Sequence, residues 1–232
     1  MSNQTSKSYY FRTCAFVFVC FAIIISVVAW KSWRNDILVT AAQRGDRHLV
    51  TSMIGLGAEV NYSDNGLVTP LIAAVSSGKQ DIAELLLRHG ANINQKVAFG
   101  FTPLRCAVTQ NNSMVCMLLQ HGAQVNTQDN QGNTPLNIAC MNLDADIVKS
   151  LLQYHANPNI VNYKGQTPLI SVVSASSDAP HAEKNGDIMD DLLRAGANVK
   201  YHDKEGNSAR TLAFNNHHLD LITRLDQYRR GE

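Results

Sequence analysis

The sequence predicts an all-α solenoid of about six helix-turn-helix repeats with short β-hairpin fingers, preceded by one N-terminal transmembrane helix. Three observations predict it. Thr-Pro-Leu recurs at Thr69-Pro70-Leu71, Thr102-Pro103-Leu104, Thr134-Pro135-Leu136 and Thr167-Pro168-Leu169, so that the prolines lie 33, 32 and 33 residues apart. A second signature follows each of them: "LLLRHGANIN" ends at Asn94, "MLLQHGAQVN" at Asn126, "SLLQYHANPN" at Asn159 and "DLLRAGANVK" at Lys200. Ahead of all of these, Thr13 to Trp30 reads "TCAFVFVCFAIIISVVAW" and carries no charged residue. A fixed period of this length marks stacked supersecondary units, each of which buries one face against its neighbours.

The N-terminal elements come first. Residues 1–12 form a tail, 13–30 the apolar segment, 31–34 a linker and 35–232 the repeat domain. As a helix the 18 residues of 13–30 span roughly 27 Å, close to the ~30 Å hydrocarbon core of a bilayer. Trp30 at one end and Tyr9, Tyr10 and Phe11 at the other suit the two interfaces, and Lys7 and Arg12 precede the run while Lys31 and Arg34 follow it. A buried core helix would show a polar stripe, which this run lacks. The alternative is a cleaved signal peptide, with Val27 and Ala29 as the small residues before a cut at Trp30. No lipobox precedes Cys14 or Cys20. The basic residues on the two sides do not decide orientation; the short tail favours an N-terminus inside and the large domain in a periplasm, anchored by a single pass in the inner (cytoplasmic) membrane.

Within each unit, Thr caps the first helix and Pro occupies its first turn, where a missing N–H costs nothing. A second apolar-periodic helix stops at Gly or a substitute, and a short extended segment and a turn lead onward. The first unit, "NDILVTAAQRGDRHLVTSMIGLGAEVN", lacks Thr-Pro-Leu, and Asp36 is its expected cap. The last, "NSARTLAFNNHHLDLITRLDQYRRGE", puts Ser208-Ala209-Arg210 there and ends in a polar helix, as a terminal unit should. The fifth unit carries extra residues in Ser174 to Asp187, read as a polar loop between its helices, either a neutral insertion or a contact element.

These residues resemble ankyrin repeats, whose pattern runs Gly-x-Thr-Pro-Leu-His-x-Ala and then Leu-Leu-x-x-Gly-Ala-x-Val-Asn. The resemblance covers about Asn35 to Glu232 and implies a protein-binding array without catalytic chemistry. The histidine of the pattern is absent; Ile72, Arg105, Asn137 and Ile170 stand in its place. In the family that imidazole tightens the turn network, so its loss implies a less rigid array. His155 replaces the stop glycine, a left-handed position that histidine tolerates better than most side chains.

Composition narrows the function further. The 232 residues are 45% hydrophobic and 17% charged with a net charge of +1, which leaves no electrostatic footprint for nucleic acid. Cys106, Cys116 and Cys140 follow the apolar run; an odd number without paired metal-ligand spacing reads as small buried or half-buried thiols. There is no Gly-rich phosphate loop, His-Glu-x-x-His, Gly-x-Ser-x-Gly or Cys-x-x-Cys. His217-His218 are adjacent and diverge on a helix, while His89 and His121 sit where a cation suits a helix C-terminus. No cofactor, metal, small-molecule substrate or catalytic residue is expected.

Function is therefore sought on the surface. "QKVAFGFTPL" stands out because its finger carries Val97, Phe99 and Phe101 where the others are polar or mixed, with Asp129 and Asp203 at the place of Val97. Either the phenylalanines fold back onto the next finger or Val68, or they and Arg105 form a contact patch, since aromatic and Arg side chains dominate binding energy. The candidate partner-binding set is Val97, Phe99, Phe101, Arg105, Asn130, Gln131, Asn137, Met141, Tyr163 and Lys164. A single span and a bare array resemble small bacterial ankyrin proteins, among which one recurrent role is immunity partner to a secreted antibacterial toxin such as a lipase effector. The alternative is a periplasmic protein supporting stress defence or envelope organisation, again by protein binding.

Overall fold

The computed structural model describes residues 30–64, 66–175 and 182–230. The tail 1–12 and the apolar segment 13–30, apart from Trp30, lie outside them; among the described residues no helix is long and apolar enough to cross a membrane. The described residues form six helix pairs. These are α1 (30–44) with α2 (Arg47–Gly55), α3 (Pro70–Ser76) with α4 (Gln80–Arg88), and α5 (Pro103–Ala107) with α6 (Asn112–Gln120). There follow α7 (Pro135–Met141) with α8 (Ala145–Gln153), α9 (Pro168–Ala175) with α10 (Ala182–Arg194), and α11 (Ala209–Asn215) with α12 (Leu219–Arg230). The first helices pack on one another in the order α3, α5, α7, α9, α11, and the second helices in the order α6, α8, α10, α12.

Local chemistry starts each first helix in the same way. The hydroxyls of Thr69, Thr102, Thr134, Thr167 and Ser208 accept from the N–H three residues on at 3.1 to 3.3 Å. The leucines that follow the prolines, Leu71, Leu104, Leu136 and Leu169, are buried, as are Ile82, Leu86, Leu118, Ile147 and Leu151 from the second helices. This apolar stack is continuous along the array, because each pair covers the open face of the one before it. Cys106 and Cys140 are buried free thiols and Cys116 a half-buried one; burial pushes the first two up from the ordinary thiol pKa.

A ladder of asparagines ties neighbouring pairs together. Asn61, Asn94, Asn126 and Asn159, each three residues after the alanine of the Gly-Ala turn (His155-Ala156 in one repeat) that follows a second helix, use Oδ1 to accept the N–H of Asn92, Gln124, Asn157 and Asn198 in the next repeat, at 2.6 to 2.9 Å. At the N-terminal end of the described residues the equivalent N–H, that of Glu59, donates at 2.9 Å to Oδ1 of Asn35, a residue of α1. Lys200 stands where the next asparagine would be and ends the series.

Several expectations are corrected. Residues 31–34 are helical and belong to α1, so no linker separates residue 30 from the repeats. Asp36 therefore lies inside α1 and caps nothing; its carboxylate accepts from the Tyr62 hydroxyl at 3.0 Å. In the fifth repeat, residues 174–175 end α9 and 182–187 begin α10, so the described part of the expected loop is helix. The polar composition there misleads because packing overrides it: Asn185 is buried, and α12 closes over Gly186, where a Cβ would come within 2.9 Å of the Arg224 guanidinium, which pairs with Asp190. His155 does take the left-handed backbone, at φ +61.

The missing imidazole is partly replaced. Asn137 is fully buried; its Oδ1 accepts from the Thr134 N–H at 3.0 Å and the Thr134 hydroxyl at 2.7 Å, and its Nδ2 reaches the Gln166 carbonyl of the next repeat at 3.5 Å. It is a structural residue, not the surface contact expected of it. Asn137→Ala leaves the buried Thr134 N–H without this acceptor, so urea denaturation should show a loss of about 1–3 kcal/mol.

Candidate functional site

Five fingers join the repeats, at residues 64–68, 97–101, 129–133, 162–166 and 203–207, and share one hydrogen-bonded frame. The first residue's N–H donates to the fifth residue's carbonyl at 2.9 to 3.2 Å, and the fourth residue's N–H donates back to the first carbonyl at 2.7 to 3.0 Å. The second residue reaches the preceding finger: the N–H groups of Ala98, Asn130, Tyr163 and Lys204 donate to the carbonyls of Gly66, Phe99, Gln131 and Lys164 at 2.7 to 3.0 Å. The tips are therefore laced into one row, parallel to the asparagine ladder.

In three fingers a side-chain oxygen at the first position holds the turn. Asp129 Oδ1 accepts from the N–H groups of Gln131 and Asn133, both at 2.9 Å. Asn162 does the same for Lys164 and Gln166, and Asp203 for Glu205 and Asn207, at 2.7 to 3.0 Å. Val97 has no acceptor to offer. In its finger the third residue leaves the right-handed region: Phe99 has φ +62 and ψ 9, whereas Gln131, Lys164 and Glu205 have no positive φ. A left-handed backbone costs a bulky residue roughly 1–2 kcal/mol. Gly100 is also left-handed at φ +74, and a Cβ there would lie 2.6 Å from Asn130 Oδ1, so the glycine allows the next finger to close in.

The side chains of this finger divide between two roles. Val97 and Phe101 are half-buried against the core and keep part of their surface exposed. Phe101 carries the Arg105 guanidinium 4.0 Å from its ring centroid, a cation–π contact, and Arg105 Nε lies 3.6 Å from buried Asp129 Oδ2 of the next finger. At that distance the pair is electrostatic rather than hydrogen-bonded, and Nε is left without a hydrogen-bond partner. Phe99 stays outside. It is 69% exposed, with its ring 5.9 Å from that of Phe101.

Of the other candidates, Asn130, Gln131, Tyr163 and Lys164 are the second and third residues of their fingers, and the ladder brings them into the same row as Phe99. Tyr163 is 66% exposed, and its N–H and ring edge approach Gly132 so closely that a Cβ there would meet them at 2.8 to 2.9 Å. Met141 is exposed, but at the far end of α7, roughly 9 Å along the axis from the finger-side start of that helix. Sequence reasoning missed Leu67, an exposed residue of the first finger, whose signal was an apolar residue beside Gly66. It also missed Asp129 as the anion that holds Arg105.

Comparison with known proteins agrees with this anatomy. Family models described as ankyrin repeats match residues 38–129 and 118–171. An ankyrin repeat protein of fowlpox virus (strain NVSL) is 36% identical over 175 residues, which is 74% of this chain and 40% of that protein. Human Rabankyrin-5 is 31% identical over 164 residues, 68% of this chain and 13% of its own length. Human 2-5A-dependent ribonuclease is 43% identical over 70 residues, 30% of this chain and 9% of its own. The chain thus spans less than half the length of these relatives.

The strained finger makes a stability prediction. Val97→Asp restores the missing acceptor and should stabilise the protein by about 1 kcal/mol. Phe99→Gly should be neutral or stabilising by up to about 1 kcal/mol, whereas Gly100→Ala should cost more than that. Denaturant midpoints of the three variants check the signs.

Proposed function

The chain belongs to the ankyrin-repeat family, and from that premise we propose that it is a protein-binding module whose contact surface is the row of finger tips centred on Phe99. The observation that carries this reading is Phe99 itself: a large aromatic side chain held out in solvent on a strained backbone, against the Phe101 ring that carries the half-buried Arg105. Strain of this kind clusters at functional positions, and exposed aromatics with Arg at their side are the chemistry of binding hot spots. Tyr163 extends the row by a second exposed ring. Among the described residues no group of three His, Cys, Asp or Glu side chains is placed to hold a metal ion, and the matched family models describe repeats of a kind that binds proteins.

The finer form of the proposal places the array on the inner membrane by a single pass, with the repeats in the periplasm. The uncharged run 13–30 supports the anchor; a cleaved leader followed by a soluble periplasmic array is the other arrangement. The most concrete partner is a secreted antibacterial toxin, such as a lipase effector, which a tethered inhibitor would meet where the toxin arrives. The uncharged run ahead of the repeats supports that choice.

Affinity capture of the full-length protein from its own membranes, run side by side with Phe99→Asp, tests the reading. Phe99 is exposed enough for the substitution to leave the fold intact, and it should weaken capture of the partner at least about tenfold, since a hot-spot truncation costs about 2 kcal/mol or more. A partner held equally by both forms would remove Phe99 from the surface. Capture of no protein at all would remove the binding function.

A further inference from the structure

The N-terminal end of α1 carries two exposed features that the binding surface does not use. Trp30 and Trp33 are both 51% exposed, with ring centroids 5.1 Å apart, and Leu56, which caps the C-terminal end of α2 and whose carbonyl is tied to Arg34 of α1, is exposed as well. The helical periodicity of α1 explains the arrangement: Asn35, Leu38, Ala41 and Ala42 are buried against the repeats, and Trp33 falls on the opposite side. This end is held firmly. Lys31 pairs with Glu59 at 2.7 Å, Arg34 Nη1 donates to the Leu56 carbonyl, and Asn35 accepts from the Glu59 N–H. The tryptophans therefore have a fixed position relative to the first repeat, with no flexible linker between.

The chain outside the described structure says what covers them. The uncharged run ends at Trp30, where α1 is already helical. At 1.5 Å per residue, Trp33 stands roughly 4.5 Å further along the axis. A headgroup layer is about 5–8 Å deep, and tryptophan is enriched there because its ring is apolar and its N–H polar. We infer that the first repeat docks directly on a lipid bilayer, with Trp30, Trp33 and Leu56 seated in the headgroup layer. This rests on the membrane-anchor reading above and goes beyond it: the array stands on the membrane at a set angle instead of hanging from it.

The chain has two tryptophans, so its indole fluorescence reports on this contact alone. Full-length W30F, which keeps only Trp33, is reconstituted into phosphatidylcholine vesicles whose acyl chains are brominated close to the headgroup. Docking requires a blue-shifted Trp33 emission, loss of most of it to the brominated lipid, and shielding from aqueous acrylamide. Protein that floats with the vesicles while Trp33 stays unquenched and open to acrylamide overturns the docking and leaves the anchor standing. Protein that does not float with the vesicles overturns both.

Discussion

Everything in this array depends on one constraint: a pair of short helices has no core of its own and is stable only when its open face meets the next pair at a fixed register. Apolar contact alone is non-directional and would tolerate sliding. Direction comes from the two hydrogen-bond ladders that flank the stack. Asparagine Oδ1 atoms accept from the following repeat on one line, and finger amides donate to the preceding tip carbonyl on the other. The asparagine contact spans 30 or 31 residues in three places and 39 across the longer fifth repeat, yet its geometry is unchanged. What is kept is the meeting of donor and acceptor, and part of the extra chain is taken up as α10 lengthens to 13 residues from the nine of α8.

The ends of the array show the same constraint from the other side. A ladder that runs from repeat to repeat leaves an unsatisfied donor at its start, and a buried amide without a partner is expensive. Asn35 meets that need from within α1, a helix that runs from residue 30 instead of starting near Asp36. The helix thus serves two purposes, closing the ladder on one side and presenting tryptophans on the other.

Much of this was legible in the residues because the chemistry is local. A threonine three residues before a buried backbone N–H, a proline in the first turn and a glycine after the second helix act within a few bonds, so the period, the caps and the order of helices could be read directly. His155 in a left-handed position was legible for the same reason. What escaped depended on neighbours distant in sequence. Asn137 reads as a free position where an imidazole is missing, but burial against the next finger turns it into a staple. Asn185 and Gly186 read as loop, but both lie in α10, Asn185 buried and Gly186 covered by Arg224 of α12. Phe99 and Phe101 looked alike on either side of Gly100, and only the turn, one residue deep, sends one outward and the other under Arg105.

That turn explains how such an exposed ring can persist. In a protein with one cooperative core, a bulky residue held at positive φ weakens the whole fold; in a solenoid, stability is close to a sum of repeat and interface terms, so a defect is confined largely to the repeat that holds it. The finger of Val97 keeps every backbone bond of the common frame, including the donation from Asn130 to the Phe99 carbonyl, and gives up only the side-chain bonds that an aspartate would make. The row of tips therefore stays in register across the strained position. Phe99 is presented by a rigid support on both sides, which lowers the entropy lost when a partner orders it, and an aromatic ring fixed before contact is worth more to binding than the same ring on a mobile loop.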